Sequence, residues 1–444
     1  MSQSDHHDVP AAPTLAQATA YWAKLGCVSF GGPAGQIAMM HRELVEQRRW
    51  VSEQRFLHAL NYCMVLPGPE AQQLATYIGW LMHGRWGGIV AGGLFVLPSF
   101  FVLAGLSWLY MVLGPAVTTQ ALQGVKPAVV AIVAFAVWRI GSKVLDRLEL
   151  WVVTLSAFAA ILILQVPYPL IVLAAALFGW LARQRLGLRR GEGQVKREKH
   201  RPALIDDHTP TPAHAEFSKA ASLRVLLTGV LVWAAALFTV GAFDPLLLQL
   251  ARFFTQAALL TFGGAYAVMP YVFQGAVEHY HWLTAPQMLD GLALGETTPG
   301  PLIMVVEFIG FIAGWNHSAT AGWTGGLTGA VVAVFFTFLP SFIFILAGGP
   351  LVEHTRKAFG LDGPLKAVNA AVVGTMLYLA VFLAGHVFWP SGLGAGVAVW
   401  PMLLALGAWW VLYRQKLGMI SVILICGLLG WIEPMLQQWI ATVV

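Results

Sequence analysis

The stretch Leu66-Pro67-Gly68-Pro69-Glu70 interrupts an otherwise apolar run from Phe56 to Met82. Pro67 and Pro69 each lack a backbone donor, and proline is best accommodated in the first turn of a helix. The stretch therefore predicts that one helical segment ends near Leu66 and that another begins at Pro69. A straight membrane helix cannot continue through it, so the second segment should present its unpaired amide groups inside the membrane.

The second half of the chain repeats this break as Thr298-Pro299-Gly300-Pro301, within the run from Met288 to Gly314. Two further motifs recur in the same order, Phe30-Gly31-Gly32 as Phe262-Gly263-Gly264 and Leu97-Pro98-Ser99-Phe100 as Leu339-Pro340-Ser341-Phe342. The ordered matches indicate a duplication. Paired breaks at corresponding positions of two halves are typical of secondary transporters.

The composition is that of a polytopic membrane protein, because 58% of the residues are hydrophobic and only 11% are charged. Runs such as Gly87 to Leu113 and Trp323 to Ala347 carry about the twenty continuous apolar residues that a helix needs to cross the hydrocarbon core. They lack the alternation of barrel strands. The sequence thus predicts an all-α fold. The net charge of +5 lies mostly in loops and gives no indication of nucleic-acid binding.

Basic residues predict how the two halves are oriented. The segment from Arg42 to Arg55 contains four arginines, whereas the equivalent segment from Tyr266 to Leu289 contains no Lys or Arg. The positive-inside rule places the first in the cytoplasm and the second outside. We therefore predict an inverted-topology repeat with broken or re-entrant helices, in which the run from Ser222 to Gly241 supplies an extra span. The arrangement has roughly nine full spans and about four broken elements, with a cytoplasmic N-terminus and a periplasmic C-terminus.

The predicted organisation has four parts. Residues 1–14 form a cytoplasmic tail, residues 15–185 the first repeat, residues 186–221 a basic cytoplasmic linker, and residues 222–444 the extra span and the second, inverted repeat. The linker is dense in Arg, Lys, His and Pro, which predicts a solvated segment; contact with anionic lipid is the alternative.

The four breaks predict one shared binding site, since irregular backbone at membrane depth is tolerated only inside protein or against a cavity. Each new helix start carries unpaired amides and about half a positive charge, which suits a small dianion without any lysine. These starts are predicted at Ala34, Pro69, Ala265 and Pro301. The alternative is that the breaks are packing kinks. The predicted binding residues are Gly31, Gly32, Pro33, Pro67, Gly68, Pro69, Glu70, Gln73, Gly263, Gly264, Thr298, Pro299, Gly300 and Pro301.

Three motifs of the first half have echoes in the second: Phe30-Gly31-Gly32-Pro33, Leu66-Pro67-Gly68-Pro69-Glu70 with Gln73 to Trp80, and Phe95-Val96-Leu97-Pro98-Ser99. Their combination resembles the chromate ion transporter family in its long, two-domain form, over nearly the whole chain. The resemblance implies export of chromate, and chromate resistance, by a multi-pass carrier of the bacterial inner membrane. The residues alone indicate only an anion, so sulfate or another oxyanion and an anion channel remain the alternatives.

Four ionisable residues near the breaks are predicted to couple or gate transport. Glu70 follows the first Pro-Gly-Pro, where a carboxylate also serves as an ordinary helix cap. Glu296 and Glu307 flank the second Pro-Gly-Pro, and neither has an acidic counterpart in the first half. Lys126 can attract an anion or extend to the membrane interface. No nucleotide-binding motif is present, so the membrane potential, with proton coupling as a hypothesis, is the expected source of energy.

An enzyme is not predicted, because the spans show no cluster of His, Asp or Glu at metal or nucleophile spacing and the three cysteines are isolated. We expect no catalytic residue, no cofactor and no metal. A passive assembly subunit would have no reason to repeat Pro-Gly-Pro. The expected partners are the oxyanion and the lipid bilayer, and a homodimer is left open.

Overall fold

The structure, a computed structural model, describes residues 10–30, 32–182, 202–207, 209–210, 212–262, 264–354, 362–390, 392, 396–414 and 417–430. Its helices in chain order are α1 (Leu15–Val28), α2 (Gly32–His41), α3 (Glu53–Val65), α4 (Glu70–Leu122), α5 (Val125–Val144), α6 (Leu148–Leu162), α7 (Tyr168–Leu181), α8 (Lys219–Phe243), α9 (Pro245–Leu260), α10 (Ala265–Phe273), α11 (Ala285–Thr297), α12 (Val305–His317), α13 (Trp323–His354), α14 (Asp362–Phe388), α15 (Val399–Tyr413) and α16 (Met419–Gly430). These residues contain no strand, only one β-bridge between Val51 and Ile205. The predicted all-α membrane fold is confirmed.

Helix α4 is two helices joined by a turn. His83 (φ −134°, ψ 23°) and Gly84 (φ 66°, ψ −158°) leave the helical conformation, so residues 70–82 form α4a and residues 85–113 form α4b. Gly84 has the left-handed backbone that favours glycine. The two parts pack side by side, because a Cβ on Gly79 of α4a would lie 2.5 Å from the Ala91 Cβ of α4b.

The first Pro-Gly-Pro breaks the chain as predicted. Helix α3 begins after the Ser52 cap and ends at Val65, Gly68 has φ 130°, and α4a begins at Glu70, one residue beyond the predicted start. The rings of Tyr62 and Tyr77 lie 5.9 Å apart, which brings the two arms alongside each other. The break is therefore the turn of a helical hairpin.

The second Pro-Gly-Pro forms an equivalent hairpin. Helix α11 ends at Thr297, Gly300 has φ 103°, and a short 3-10 turn, Leu302–Met304, leads into α12. A Cβ on Gly291 would lie 2.4 Å from the Phe308 ring, so the two arms are again in close contact. The hairpins of the two halves thus share one design.

The duplication is visible in the elements themselves. Helices α3 and α11 each contain 13 residues. A π-helix of 6 residues follows α2 as Arg42–Gln47 and follows α10 as Gln274–His279. Equivalent Gly and Pro positions interrupt the backbone at equivalent places, which explains why both halves adopt the same local structure. The orientation of the halves relative to the membrane stays a prediction.

The long helices α4b and α13 pack against each other. A Cβ on Gly92 would lie 2.7 Å from the Phe342 ring, and one on Gly88 would lie 3.1 Å from Leu346. Small residues permit this close approach, as they do generally between membrane helices. The glycines of both hairpin turns are buried against this helix pair, Gly68 beside Ser341 of α13 and Gly300 beside Ser99 of α4b.

Five helical segments of the described chain are long and apolar enough to cross a membrane: Glu70–Gly114, Val125–Val144, Lys219–Phe243, Trp323–Leu351 and Lys366–Phe388. The third, α8, contains the extra span predicted at residues 222–241 and has no buried residue, so it lies at the lipid-facing periphery. Six further apolar helices contain only 10–17 residues. The predicted number of full spans therefore stays a prediction.

Part of the predicted solvated linker is buried. Ala203, Ile205 and Ala215 are buried, and the Ile205 backbone pairs with that of Trp50 and Ser52. A few apolar side chains between residues 203 and 215 pack against the first hairpin, which overall composition could not reveal. Residues 1–9 of the tail, the basic residues 183–201 and residues 431–444 lie outside the described residues.

Candidate functional site

Each Pro-Gly-Pro turn makes a hydrogen bond to the other half of the chain. The Gly68 amide donates to the Thr261 carbonyl (2.7 Å), and the Gly300 amide donates to the Ser29 carbonyl (2.8 Å). Thr261 and Ser29 directly precede the two Phe-Gly-Gly motifs. Each Pro-Gly-Pro break therefore meets the Phe-Gly-Gly break of the other half, while the meeting of all four breaks at one site stays a prediction. These two amides are occupied, however, so they do not belong to the free donors expected of the site.

A second reciprocal contact involves the repeated Pro-Ser motifs. A Cβ on Gly68 would lie 2.3 Å from the Ser341 Oγ, and a Cβ on Gly300 would lie 2.6 Å from the Ser99 Cβ. Both glycines also have a positive φ, which L side chains rarely adopt. Glycine is thus required at both turns by backbone conformation and by space.

Unpartnered polar atoms surround the Gly300 turn. Gln36 Nε2 donates to the carbonyls of Gly300 (2.5 Å) and Ser29 (3.2 Å), while Gln36 Oε1 has no partner. The hydroxyls of Ser29 and Ser99 are fully buried and also lack a hydrogen-bond partner. Buried polar groups are normally hydrogen-bonded, so three polar atoms without a hydrogen-bond partner around one turn indicate a position for a polar ligand.

The Gly68 turn has a similar polar surround. Gln73 Nε2 donates to the Pro67 carbonyl (2.8 Å) and approaches Ser341 Oγ (3.4 Å), which places Gln73 at the break as predicted. Gln72 Nε2 donates to Thr76 Oγ1 (3.0 Å). The amide oxygens of Gln72 and Gln73 have no partner.

Sequence reasoning did not include five of these polar residues among the binding residues: Ser29, Gln36, Gln72, Ser99 and Ser341. Repetition of Pro-Ser in the two halves was the signal for Ser99 and Ser341. Gln36 and Gln72 lie within a few residues of a break in sequence and can donate hydrogen bonds there, but the sequence alone could not rank them. Ser29 directly precedes the first Phe-Gly-Gly motif and was not singled out.

Two carboxylates lie near the second-half Gly-Gly break. Glu70 Oε1 lies 3.9 Å from the position that a Cβ on Gly264 would occupy. Two residues after Gly264, the Tyr266 hydroxyl donates to Glu296 Oε1 (2.7 Å). Glu70, contributed by the first half, thus lies against the break of the second half.

Glu307 is isolated in the core. Its side chain is fully buried in the first turn of α12, and both carboxylate oxygens lack a hydrogen-bond partner. The polar neighbour is Ser107 of α4b, but the two groups do not have hydrogen-bond geometry. An unpaired charge in such surroundings is expensive, so a carboxylate placed there is a functional candidate.

Lys126 does not lie at the breaks. Its Nζ is 3.0 Å from Asp290 Oδ1, and the Tyr110 hydroxyl donates to Asp290 Oδ2 (2.9 Å). Lys126 is therefore engaged by an acidic residue of α11, which the sequence reading did not single out. In this structure its charge is matched within the protein.

The remaining predicted residues form the backbone of the breaks. Helix α2 begins at Gly32 (φ 72°), two residues before the predicted start at Ala34, and therefore contains Pro33. Helix α10 begins at Ala265, as predicted. The Thr298 hydroxyl donates to the Gly295 carbonyl of its own helix (3.1 Å). Pro67, Pro69, Pro299 and Pro301 complete the two turns. Gly31 and Gly263 lie outside the described residues.

The sequence model of one family, described as "Chromate transporter", matches residues 16–180 and 248–431 of this chain. The chain belongs to the chromate transporter family. The matched segments leave out residues 181–247, which contain the linker and all of α8, the parts without a counterpart in the other half. The resemblance predicted from the break motifs is confirmed.

Relatives of this transporter-family protein align over most of their length. A chromate transport protein of Pseudomonas aeruginosa is 35% identical over 96% of this chain and 94% of its own. One of Cupriavidus metallidurans is 31% identical over 84% of this chain and 83% of its own. A probable chromate transport protein of Synechococcus elongatus is 30% identical over 83% of this chain and 84% of its own. No solved structure matches the chain.

Proposed function

We propose that this member of the chromate transporter family is a secondary transporter that exports chromate, or a closely similar tetrahedral oxyanion, across the bacterial inner membrane. The observation that carries the proposal is the contact of each Pro-Gly-Pro turn with the other half of the chain, beside which the fully buried hydroxyls of Ser29 and Ser99 have no partner. Binding at this position puts the anion between the halves, where movement of one half against the other can expose it alternately.

The chemistry of these turns suits an oxyanion. Helix α4a begins with the Gln73 amide donating to the Pro69 carbonyl, so the amides of residues 70–72 have no partner within the helix. The hydroxyls of Ser29 and Ser99 add two donors. Each helix end contributes about half a positive charge, which favours a dianion without a basic side chain.

The proposed direction rests on charge. Under the inverted arrangement, the arginines of residues 42–55 lie on the cytoplasmic side and raise the local anion concentration there. With a negative cell interior, outward movement of a dianion is favoured by about 4.6 kcal/mol per 100 mV. Export then needs no other energy source.

Proton coupling is a separate part of the proposal. A bound dianion repels a neighbouring carboxylate and favours its protonation. Glu70 and Glu296 lie beside the second-half break, and Glu307 is buried without a partner. A proton carried by one of them can accompany anion movement.

Chromate uptake into everted membrane vesicles tests the function, because their outward-facing cytoplasmic side turns export into uptake. We expect saturable uptake that is driven by an interior-positive potential and lost when both Ser29 and Ser99 are replaced by alanine. Ser142→Ala is the matched control, since that hydroxyl is exposed and donates to its own helix.

Three outcomes would contradict the proposal. Undiminished uptake in the Ser29→Ala/Ser99→Ala variant would show that chromate does not bind at the turns. Stronger uptake of sulfate than of chromate would assign a different oxyanion. Uptake that never saturates and shows no counterflow would indicate an anion channel.

A further inference from the structure

A buried ion pair links the first hairpin to the second half. The guanidinium of Arg55, at the start of α3, contacts the carboxylate of Glu353, at the end of α13, and only 5% and 2% of these side chains are exposed. The hydroxyl of Tyr77 in α4a donates to the same carboxylate (2.5 Å). We name these three residues the Arg55 cluster.

A second buried ion pair links the second hairpin to the first half. Asp290 of α11 has 1% of its side chain exposed, lies 3.0 Å from Lys126 Nζ of α5, and accepts a hydrogen bond from Tyr110 of α4b. We name these three residues the Asp290 cluster. Each cluster therefore combines a basic residue and a tyrosine of the first half with an acidic residue of the second half. In each cluster at least one of these residues lies on an arm of a hairpin.

The two clusters lie on opposite sides of the candidate site. Gly88 and Gly92 of α4b lie close to Thr76 of α4a, since Cβ atoms on these glycines would contact Thr76. Tyr77 follows Thr76 in the chain, so it lies level with residues 88–92 of α4b. Ser99, at the Gly300 turn, is about 15 Å farther along α4b, and Tyr110 is about another 17 Å beyond it, at a helical rise of about 1.5 Å per residue. The clusters are thus separated by about the thickness of the hydrocarbon core.

We propose that the Arg55 and Asp290 clusters are the two gates of the transporter, one on each side of the oxyanion site. This inference rests on the proposed function. Opening a path to one membrane face separates the halves at that end, which breaks one cluster while the other holds. Both clusters are intact in this structure, and the site residues Ser29, Ser99 and Gln36 are fully buried between them.

The linker adds a further restraint to the Arg55 cluster. The Arg55 guanidinium also donates to the backbone carbonyls of Asp206 (3.3 Å) and Thr209 (2.9 Å), and the Ser52 hydroxyl donates to Asp207 (2.5 Å). The Arg55 gate can therefore open only if these linker contacts move with it or break. Under the charge-based topology, this gate is the cytoplasmic one.

Thiol labelling tests the gates independently of the transported anion. The reporter is Ser99→Cys in the full chain from which Cys27, Cys63 and Cys426 have been removed, treated in sealed vesicles of either orientation with a membrane-impermeant thiol reagent. Glu353→Gln should increase labelling from one face only, and Asp290→Asn from the opposite face only. Each increase should be at least about tenfold, equivalent to weakening a closed gate by about 1.4 kcal/mol.

Milder variants keep the proposal testable if the carboxylate variants do not fold. Tyr77→Phe and Tyr110→Phe each remove one hydrogen bond and should give smaller increases with the same face preference. The assignment of the clusters as gates would be overturned if variants of both clusters increased labelling from the same face. It would also be overturned if labelling were unchanged in all folded variants. If the parent protein, with Ser99 unchanged, fails to transport chromate while labelling of the reporter stays face-specific, the proposed substrate is overturned and the gates stand.

Discussion

At the scale of single residues, Gly68 and Gly300 allow the backbone of each Pro-Gly-Pro turn to approach the other half closely, because they have no side chain. Each has a positive φ, donates its amide across the boundary between the halves and lies against a serine of the other half. A Cβ at either position would displace that serine from the turn. The two halves thus meet through backbone groups, and the unpartnered hydroxyls of Ser29 and Ser99 lie beside the Gly300 turn.

We predict that Gly68→Ala reduces chromate uptake strongly and destabilises the protein by about 1–3 kcal/mol, the usual cost of an unfavourable backbone conformation. Uptake in vesicles and apparent unfolding temperature in detergent measure the two effects. Gly93→Ala is the control, because the space around Gly93 of α4b is open and its φ is not positive. Equal behaviour of the two variants would remove the turn from the transport mechanism.

Glu307 gives a prediction about coupling. We expect Glu307→Gln to fold with a stability within about 1 kcal/mol of the parent, because an amide of the same shape replaces an acid that has no hydrogen-bond partner. Its uptake should no longer respond to a pH gradient at clamped voltage. Glu149→Gln, at an exposed acid of α6, should retain the response of the parent. A retained response in Glu307→Gln would exclude Glu307 as the proton carrier.

At the scale of the helices, side chains in the loops between them hold the hairpins in place. Asp244 caps α9, since one oxygen accepts from the Leu246 amide (2.8 Å). The other oxygen accepts from the Ser318 hydroxyl (2.7 Å) and the Ala319 amide (2.9 Å) in the loop between α12 and α13. One side chain therefore joins the end of the second hairpin to the start of α9.

The pKa of Asp244 gives a pH-dependent prediction. Burial raises this pKa, but the hydrogen bonds from Ser318, Ala319 and Leu246 outweigh burial, and the net shift is downward. The stabilisation is therefore fully present above the unfolded pKa of about 3.9 and is lost as the pH falls through the lower folded value.

We expect Asp244→Ala to cost about 1–3 kcal/mol at neutral pH and Asp244→Asn to cost less, because asparagine still caps a helix. The difference between the parent and Asp244→Asn should shrink as the pH falls below about 4, since the carboxylate advantage disappears. Unfolding in detergent as a function of pH measures this. A difference that grows on acidification would contradict the assignment.

The halves are interlocked at the scale of the whole molecule. The Thr154 hydroxyl of α6 donates to the Ala370 carbonyl of α14 (2.8 Å), and Gly374 permits close contact there, as a Cβ on it would lie 2.1 Å from the Thr154 carbonyl oxygen. Together with the turn contacts and both ion-pair clusters, this joins each half to the other along the length of the helices. The linker is thus one of many connections between them.

We predict that the two fragments stay together after the linker is cut at a protease site introduced near residue 192. Size-exclusion chromatography in mild detergent should show both fragments in one peak, with the hydrodynamic radius of the intact protein. Uncut protein carrying the same site is the control. Fragments that separate without denaturant would show that the linker, and not the buried contacts, holds the halves together.

The sequence by itself determined where the backbone breaks, because Pro and Gly act locally through a missing donor and a permitted positive φ. The hairpin turns at Gly68 and Gly300, the duplication and the helix start at Ala265 follow from residue type alone. Glu70 and Gln73 were predicted for the same reason, being adjacent in sequence to a break.

Only the tertiary structure decided which distant groups meet. Ser29 reaches the Gly300 turn and Lys126 reaches Asp290 because helices from opposite halves pack together, and no local pattern encodes that pairing. The buried part of the linker escaped prediction for a related reason. Its few apolar residues become significant only when the first hairpin offers a surface that buries them.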